Sequence, residues 1–128
     1  MPIYMHVDRI EHIVTMVAHG TVSDQEVRDL SQELIDANVP EFGKIIDTSA
    51  AVSHLTEDQI EFAAEILRKA PGYDRRGPVA YVINPDRVGF AIKFAEASQK
   101  DRPVRLFRSL REARTWIEEV TTPGYGLD

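Results

Sequence analysis

The residues that bring the most chemistry together in this chain lie between Lys44 and Gln59. Lys44-Ile45-Ile46-Asp47 is a short apolar run that stops at an acid. Thr48 to Leu55 is small, polar and irregular, and Thr56-Glu57-Asp58-Gln59 opens a strongly periodic helix. A strand that leaves through hydroxyls into a helix N-terminus offers free N–H groups and the positive end of a dipole, which suit an anion. In α/β proteins, ligands gather outside the carboxyl ends of the strands. Asp47, Ser49, Ser53 and Thr56 are therefore the candidate anion-binding or phospho-switch residues. A phosphate there would be favoured by the helix dipole and would alter the charge of any partner surface. The plainer use is that Thr48, Ser49 and Ser53 satisfy loop backbone groups and Thr56 caps the helix.

Other combinations offer less. Asp47 and His54 have the types of an acid–base pair, but their spacing does not demand contact and no third group is identifiable. His6, His12, His19 and His54 form no metal-ligand pattern. Gly20, Gly43, Gly72 and Gly89 assemble no phosphate-binding loop, so no nucleotide cofactor is expected. The chain has no cysteine, which excludes disulfides, thiolate catalysis and zinc–thiolate sites. Arg102, Arg105, Arg108, Arg111 and Arg114 recur at threes, yet in a strand followed by a helix they make no continuous stripe. With a net charge of −6, nucleic acid is not an expected partner. The reading is of no catalytic residue, no metal and no cofactor.

The elements that must position these residues follow in order. Tyr4–Val7 and His12–Ala18 are β-leaning runs separated by a short gap, which makes an antiparallel hairpin economical, with Gly20 ending it. Ser23-Asp24-Gln25-Glu26 is a capping box, and Val22 with Val27 is a hydrophobic staple. Val27, Leu30, Leu34 and Ile35 form one apolar stripe of the helix that Asn38 and Pro40 end. After the Lys44–Asp47 strand, Thr56 to Gln59 is a second box. Ile60, Ala63, Ala64 and Leu67 pack on a sheet, and Phe62 with Ile66 forms a further apolar pair, so this helix either lies deep or meets another subunit. Pro78 to Ile83 reads as a central strand buried on both faces. Asn84-Pro85 opens a helix to about Gln99, with Phe90 and Phe94 inward. Val104–Phe107 is a last strand. Ser109-Leu110-Arg111-Glu112 opens a helix in which Ala113, Trp116, Ile117 and Val120 face inward.

The order ββαβαβαβα implies an α/β domain over 1–120: a mixed, mostly parallel sheet of four or five strands with about four helices, then a tail over 121–128. At 128 residues the chain is long enough for one core. No basic-then-apolar leader and no run of membrane-spanning length is present, so the expectation is a cytoplasmic protein without stable membrane insertion. Charge is uneven. Residues 21–65 carry eleven acids against Arg28 and Lys44, and residues 66–114 carry twelve Lys and Arg against five acids. Either subunits meet acid to base or folding interleaves the halves.

The closing run Val104-Arg105-Leu106-Phe107-Arg108-Ser109-Leu110-Arg111-Glu112-Ala113-Arg114-Thr115-Trp116-Ile117 resembles the SpoIIAA-like family of small bacterial proteins. So do the hairpin, Gly20-Thr21 before a capped helix, the strand ending at Asp47, and Thr56-Glu57-Asp58. The likeness covers about residues 3 to 119. That family is related in fold to STAS domains, the anti-sigma-factor antagonists among them, and more distantly to SEC14-type lipid-binding domains. STAS antagonists bind a protein partner and are switched by phosphorylation of a serine in Asp-Ser-Ser-Gly. Asp47-Thr48-Ser49-Ala50 is similar, with Thr48 in place of the first serine and Ala50 in place of the glycine. By motif Ser49 is the counterpart; by position before the helix, Ser53 or Thr56 is.

The resemblance implies a non-enzymatic regulatory or protein-interaction module acting around residues 47–56 and the helix after them, and the wide apolar face of helix 56–69 points to a homodimer through that helix. The alternative, by analogy with SEC14-type domains, is a binder of a small apolar or amphiphilic ligand, with Phe62, Ile66, Phe90 and Phe94 facing it. The simpler use of those four is to close the core, since so short a chain has little apolar surface to spare for a lipid cavity.

Overall fold

The computed structural model describes residues 3–72, 75–84, 86, 92, 96 and 103–121. Five strands form one sheet in the order β1-β2-β3-β4-β5: β1 is Ile3–Asp8, β2 Ile13–Val22, β3 Gly43–Ser53, β4 Val79–Val82 and β5 Val104–Phe107. The β1–β2 pair is antiparallel and every other pair is parallel. Three helices are bounded among the described residues: α1 Asp24–Ala37, α2 Glu57–Arg68 and α3 Leu110–Thr121. Of the expected helix from Pro85 to Gln99, Asp86 is in a turn, Ile92 and Glu96 are helical, and the rest lies outside the described residues.

Local chemistry explains the turns and caps. In the hairpin, the Asp8 carboxylate accepts from the N–H groups of Ile10 and Glu11 at 3.0 and 2.9 Å, and these bonds hold its pKa below the ordinary value. Ser23 accepts from the Glu26 N–H while Glu26 reaches back to the Ser23 N–H, and Thr56 and Gln59 do the same for α2. Asn38 ends α1 at φ 54°, a left-handed position that asparagine tolerates.

Two strands are longer than the sequence reading expects. Gly20 does not end β2, which continues to Val22 with Gly20 paired to Ala51. Likewise Thr48 to Ser53 is not a loop; β3 runs through it. The irregularity expected there takes the form of a bulge: Val17 pairs with Asp47 and His19 with Ala50, so Thr48 and Ser49 together oppose Ala18.

The alternation of the strands divides the interior into two layers. Ile13, Ile45, Ala80 and Val82 face α3, meeting Ala113 and Ile117. Val14 and Met16 face α1 with Leu30 and Leu34, and Ala18 and Ala51 meet Val27 and Ala63 where α1 packs on α2. The bulge corrects the parity of β3, because Lys44, Ile46 and Thr48 point into the α1–α2 layer before it and Ala51 does so after it.

Candidate functional site

Asp47, at the bulge, accepts from the backbone N–H of Ser49 at 3.0 Å and from its hydroxyl at 2.6 Å. An acid that bonds an amide two residues on offers the backbone an alternative to the strand ladder, and this is the local cause of the bulge. Thr48 is buried and donates to the Val82 carbonyl at 3.0 Å, tying the bulge to β4. Ser53 is the last residue of β3, and Thr56 is engaged with Gln59 as a cap. The four candidate residues therefore do not converge. Asp47 and Ser49 make one pair, while Ser53 and Thr56 lie at the far end of β3 and the start of α2. Among the described residues no hydrogen bond joins Asp47 to His54, which is exposed. His12 stacks on Phe42, and the described residues contain no group of acids and histidines arranged for a metal.

On α2, Phe62 is 55% exposed and Ile66 half-buried, so this pair lies outward, with Ile60 and Ala63 buried behind it. Phe90 and Phe94 lie outside the described residues.

The most built feature is elsewhere, and the sequence reading passes over it. Between the sheet and α1–α2 lies a cavity of about 100 Å³. Its walls are mostly apolar, with Met16, Val27, Leu30, Ile46, Ala63 and Tyr81 among them. Neither Phe62 nor Ile66 is among its lining residues. The expectation is of little apolar surface to spare for a lipid cavity, and the void here is far short of a long lipid. A smaller cleft of about 30 Å³ adjoins it between the C-terminal ends of α1 and α2, and the two share Leu34, Lys44, Leu67 and Arg76.

Lys44 is the side chain that marks this place. It stands on β3 between two apolar neighbours and is 2% exposed. Its ammonium donates to the carbonyls of Pro40 at 2.8 Å and Phe42 at 2.7 Å. No ion pair among the described residues includes it. Burial, and then the charge of Arg76, push its pKa down to about 8, against a smaller opposing pull from Glu41. The backbone around it is tightly folded. The Gly77 N–H donates to the Pro40 carbonyl at 2.8 Å, and a Cβ at Gly77 would lie 2.5 Å from the Glu41 carbonyl. The signal in the sequence was a lysine on the inward face of a strand, one position before Ile45-Ile46.

The fold has a solved counterpart. The chain is similar to a protein of the DUF3478 family from Shewanella loihica PV-4, described as uncharacterized and as having a SpoIIAA-like fold. The TM-score is 0.64 at 16% identity, over 90% of this chain and 93% of that one. The fold is SpoIIAA-like. No family model and no curated protein matches the sequence. At this identity the likeness carries the fold, and within that SpoIIAA-like fold the argument for function rests on the cavity and on the corner between β3 and α2. No helix among the described residues is long and apolar enough to cross a membrane.

Proposed function

We propose that this protein is a non-enzymatic regulatory module in which a small apolar or amphiphilic molecule, held between the sheet and α1–α2, governs the surface those helices present to a protein partner. The observation that carries this reading is the cavity. It is lined by both helices and by the inward faces of β2, β3 and β4, so filling it would bear on how α1 and α2 sit. A preformed apolar space with a few polar groups is the usual form of a small-molecule site. The contact surface is the outer side of α2, where Phe62 and Ile66 make an apolar pair at i, i+4. Asp47 opens the segment that leads into it, and Ser49, Ser53 and Thr56 supply its hydroxyls.

The two candidate switch positions differ in what a phosphate would do. At Ser49 it would replace the hydroxyl that donates to Asp47 and set two anions side by side, opening the bulge. At Thr56 it would stay at the N-terminus of α2, where the dipole favours it, although Glu57 and Asp58 oppose it.

Native mass spectrometry of the protein from its own host, followed by intact mass after denaturation, tests the reading. A small mass lost on denaturation supports it. A phosphate mapped to Ser49, Ser53 or Thr56 supports the switch, and a doubled native mass abolished by Phe62→Glu assigns the α2 face to a homodimer. A clean monomer that carries nothing, and whose melting temperature no small apolar compound raises, refutes it.

A further inference from the structure

We propose that the outer edge of β1 is a second docking surface, which takes an extended segment of a partner protein as an added strand, with long basic residues alternating along that segment. The inference stands apart from the cavity and from the outer side of α2.

The two edges of the sheet are built differently. β5 has four residues, with Arg105 exposed in it and Arg108 exposed just after it. Short strands and charged side chains are the usual means of keeping an edge from pairing. β1, at the other edge, has six residues, and Ile3-Tyr4-Met5-His6-Val7 holds no lysine, arginine or proline. Its one charge is Asp8, already engaged by the N–H groups of Ile10 and Glu11. All of β1 pairs with β2 on one side, and among the described residues no strand lies on the other. Alternate N–H and C=O groups are therefore turned outward, as a template for a strand from another chain.

Each face of that edge selects what the added strand carries. α3 packs over β3, β4 and β5, and Tyr4 is 60% exposed, with His6 and His19 exposed beside it. A β-branched or aromatic residue of the added strand would pair with Tyr4 and His6 on this face. On the opposite face α1 supplies charge. Its side away from α2 is the stripe Glu26, Leu30, Glu33 and Ala37, at i, i+4, i+7 and i+11. Leu30 and Ala37 belong to the same apolar layer as Met5 and Val7, which sets the two acids of the stripe above the β1 edge. Glu33, Asp29 and Asp36 are exposed, and no ion pair among the described residues includes them. Arg9, which donates to the Ala37 carbonyl at 3.4 Å, is the cation at the far corner.

A lysine or arginine of the added strand on the α1 face would cover Met5 and Val7 with its stem and carry its charge to Glu33. A second copy of this chain is the poorer occupant, because it would bring another α1 with the same acids against the first.

The test uses two peptides on the full chain, acetyl-Lys-Thr-Lys-Tyr-Lys-Thr-Lys-amide and the same peptide with glutamate in place of lysine. Calorimetry reads affinity at low salt, and amide hydrogen exchange reads the place of binding. The proposal expects the lysine peptide to bind about tenfold or more tightly than the glutamate peptide, and to slow exchange at alternate amides of β1. Glu33→Lys, on an exposed residue, should weaken the lysine peptide about threefold, the scale of one exposed charge pair. Equal affinity for the two peptides overturns the basic partner. Binding that leaves β1 exchange unchanged, or that protects α2 instead, overturns strand addition, as does no binding of either peptide. A doubled native mass with β1 already protected in the protein alone assigns the edge to a second copy and refutes the proposal.

Discussion

The two faces of the sheet are built from the same strands and packed in opposite ways. On the α3 face the helix lies close. Ala113 and Ile117 have no exposed surface, and a Cβ at Gly43 would come within 2.5 Å of the Ile117 side chain. On the α1–α2 face the helices enclose about 100 Å³ of space, a buried lysine and an arginine. Small residues explain the first face, since Gly43, Ala80 and Ala113 let backbone approach backbone. The second face meets its helices with Met16, Lys44, Ile46 and Tyr81, long side chains that hold α1 and α2 away. A closely packed face contributes dispersion contacts to stability, whereas a face that leaves a void forgoes some of them.

Removing the same bulk from each face should show the difference most plainly. Ile117→Ala is expected to lose about 3–4 kcal/mol, because the site is fully closed and cannot collapse around the missing atoms. Leu34→Ala, on a half-buried residue that already borders the cavity, is expected to lose roughly half of that. Urea unfolding of both variants is the measurement, and equal losses would show that the two faces are packed alike.

Lys44 gives the faces different responses to pH. Burial lowers its pKa from 10.5 to about 8 in the folded chain. Between those values the unfolded chain holds the proton and the folded chain has released it, so stability rises with pH across that interval. The penalty of burying the charge is present in full below pH 8 and is relieved by pH 10.5, a change of about 3 kcal/mol from this group alone. Arg76 and Glu41 are the charged neighbours that set it. The check is the difference in unfolding free energy between wild type and Lys44→Met at pH 7 and pH 10. Raising the pH should stabilise the wild type relative to Lys44→Met, and a difference that stays constant would mean that Lys44 is not held away from water.

These contrasts explain which parts of the molecule were legible in the sequence. The Ser23 and Thr56 boxes, the α1 stripe, the apolar run of β4 and the inward set Ala113, Trp116 and Ile117 are local patterns, and each stands where the sequence places it. The stretch from Thr48 to Ser53 reads as loop because its residues are small and polar. Pairing with β2 overrides that preference, and the Asp47–Ser49 bonds leave only a bulge as its trace. The cavity was invisible for a different reason. Periodicity says which face of a helix turns inward and nothing about how far the helix stands from the sheet. The amphipathic patterns of α1 and α3 look alike, yet one covers a void and the other does not. Lys44 was legible as a charge but not as a buried one, because burial at the start of a strand depends on the turn from Pro40 to Phe42 and on Gly77 closing over it.

The smallest effects give the sharpest test, since they add atoms instead of removing them. Gly43→Ala places one methyl where Ile117 already stands, so either the side chain or α3 must move, at a loss of about 1–3 kcal/mol. Ala64→Leu places three carbons at the wall of the cavity on α2. Leucine is a good helix former and meets space there instead of a neighbour, so the change should be neutral or stabilising by up to about 1 kcal/mol. The same substitution should also weaken the binding of a small apolar compound such as hexanol, because the carbons that fill the void compete with the ligand for it. Thermal unfolding and calorimetry on the one variant therefore read both properties. Stability unchanged or raised, with binding reduced, is the expected pair. A clear loss of stability would mean that the α1–α2 face is as full as the α3 face, and the contrast between the two would go with it.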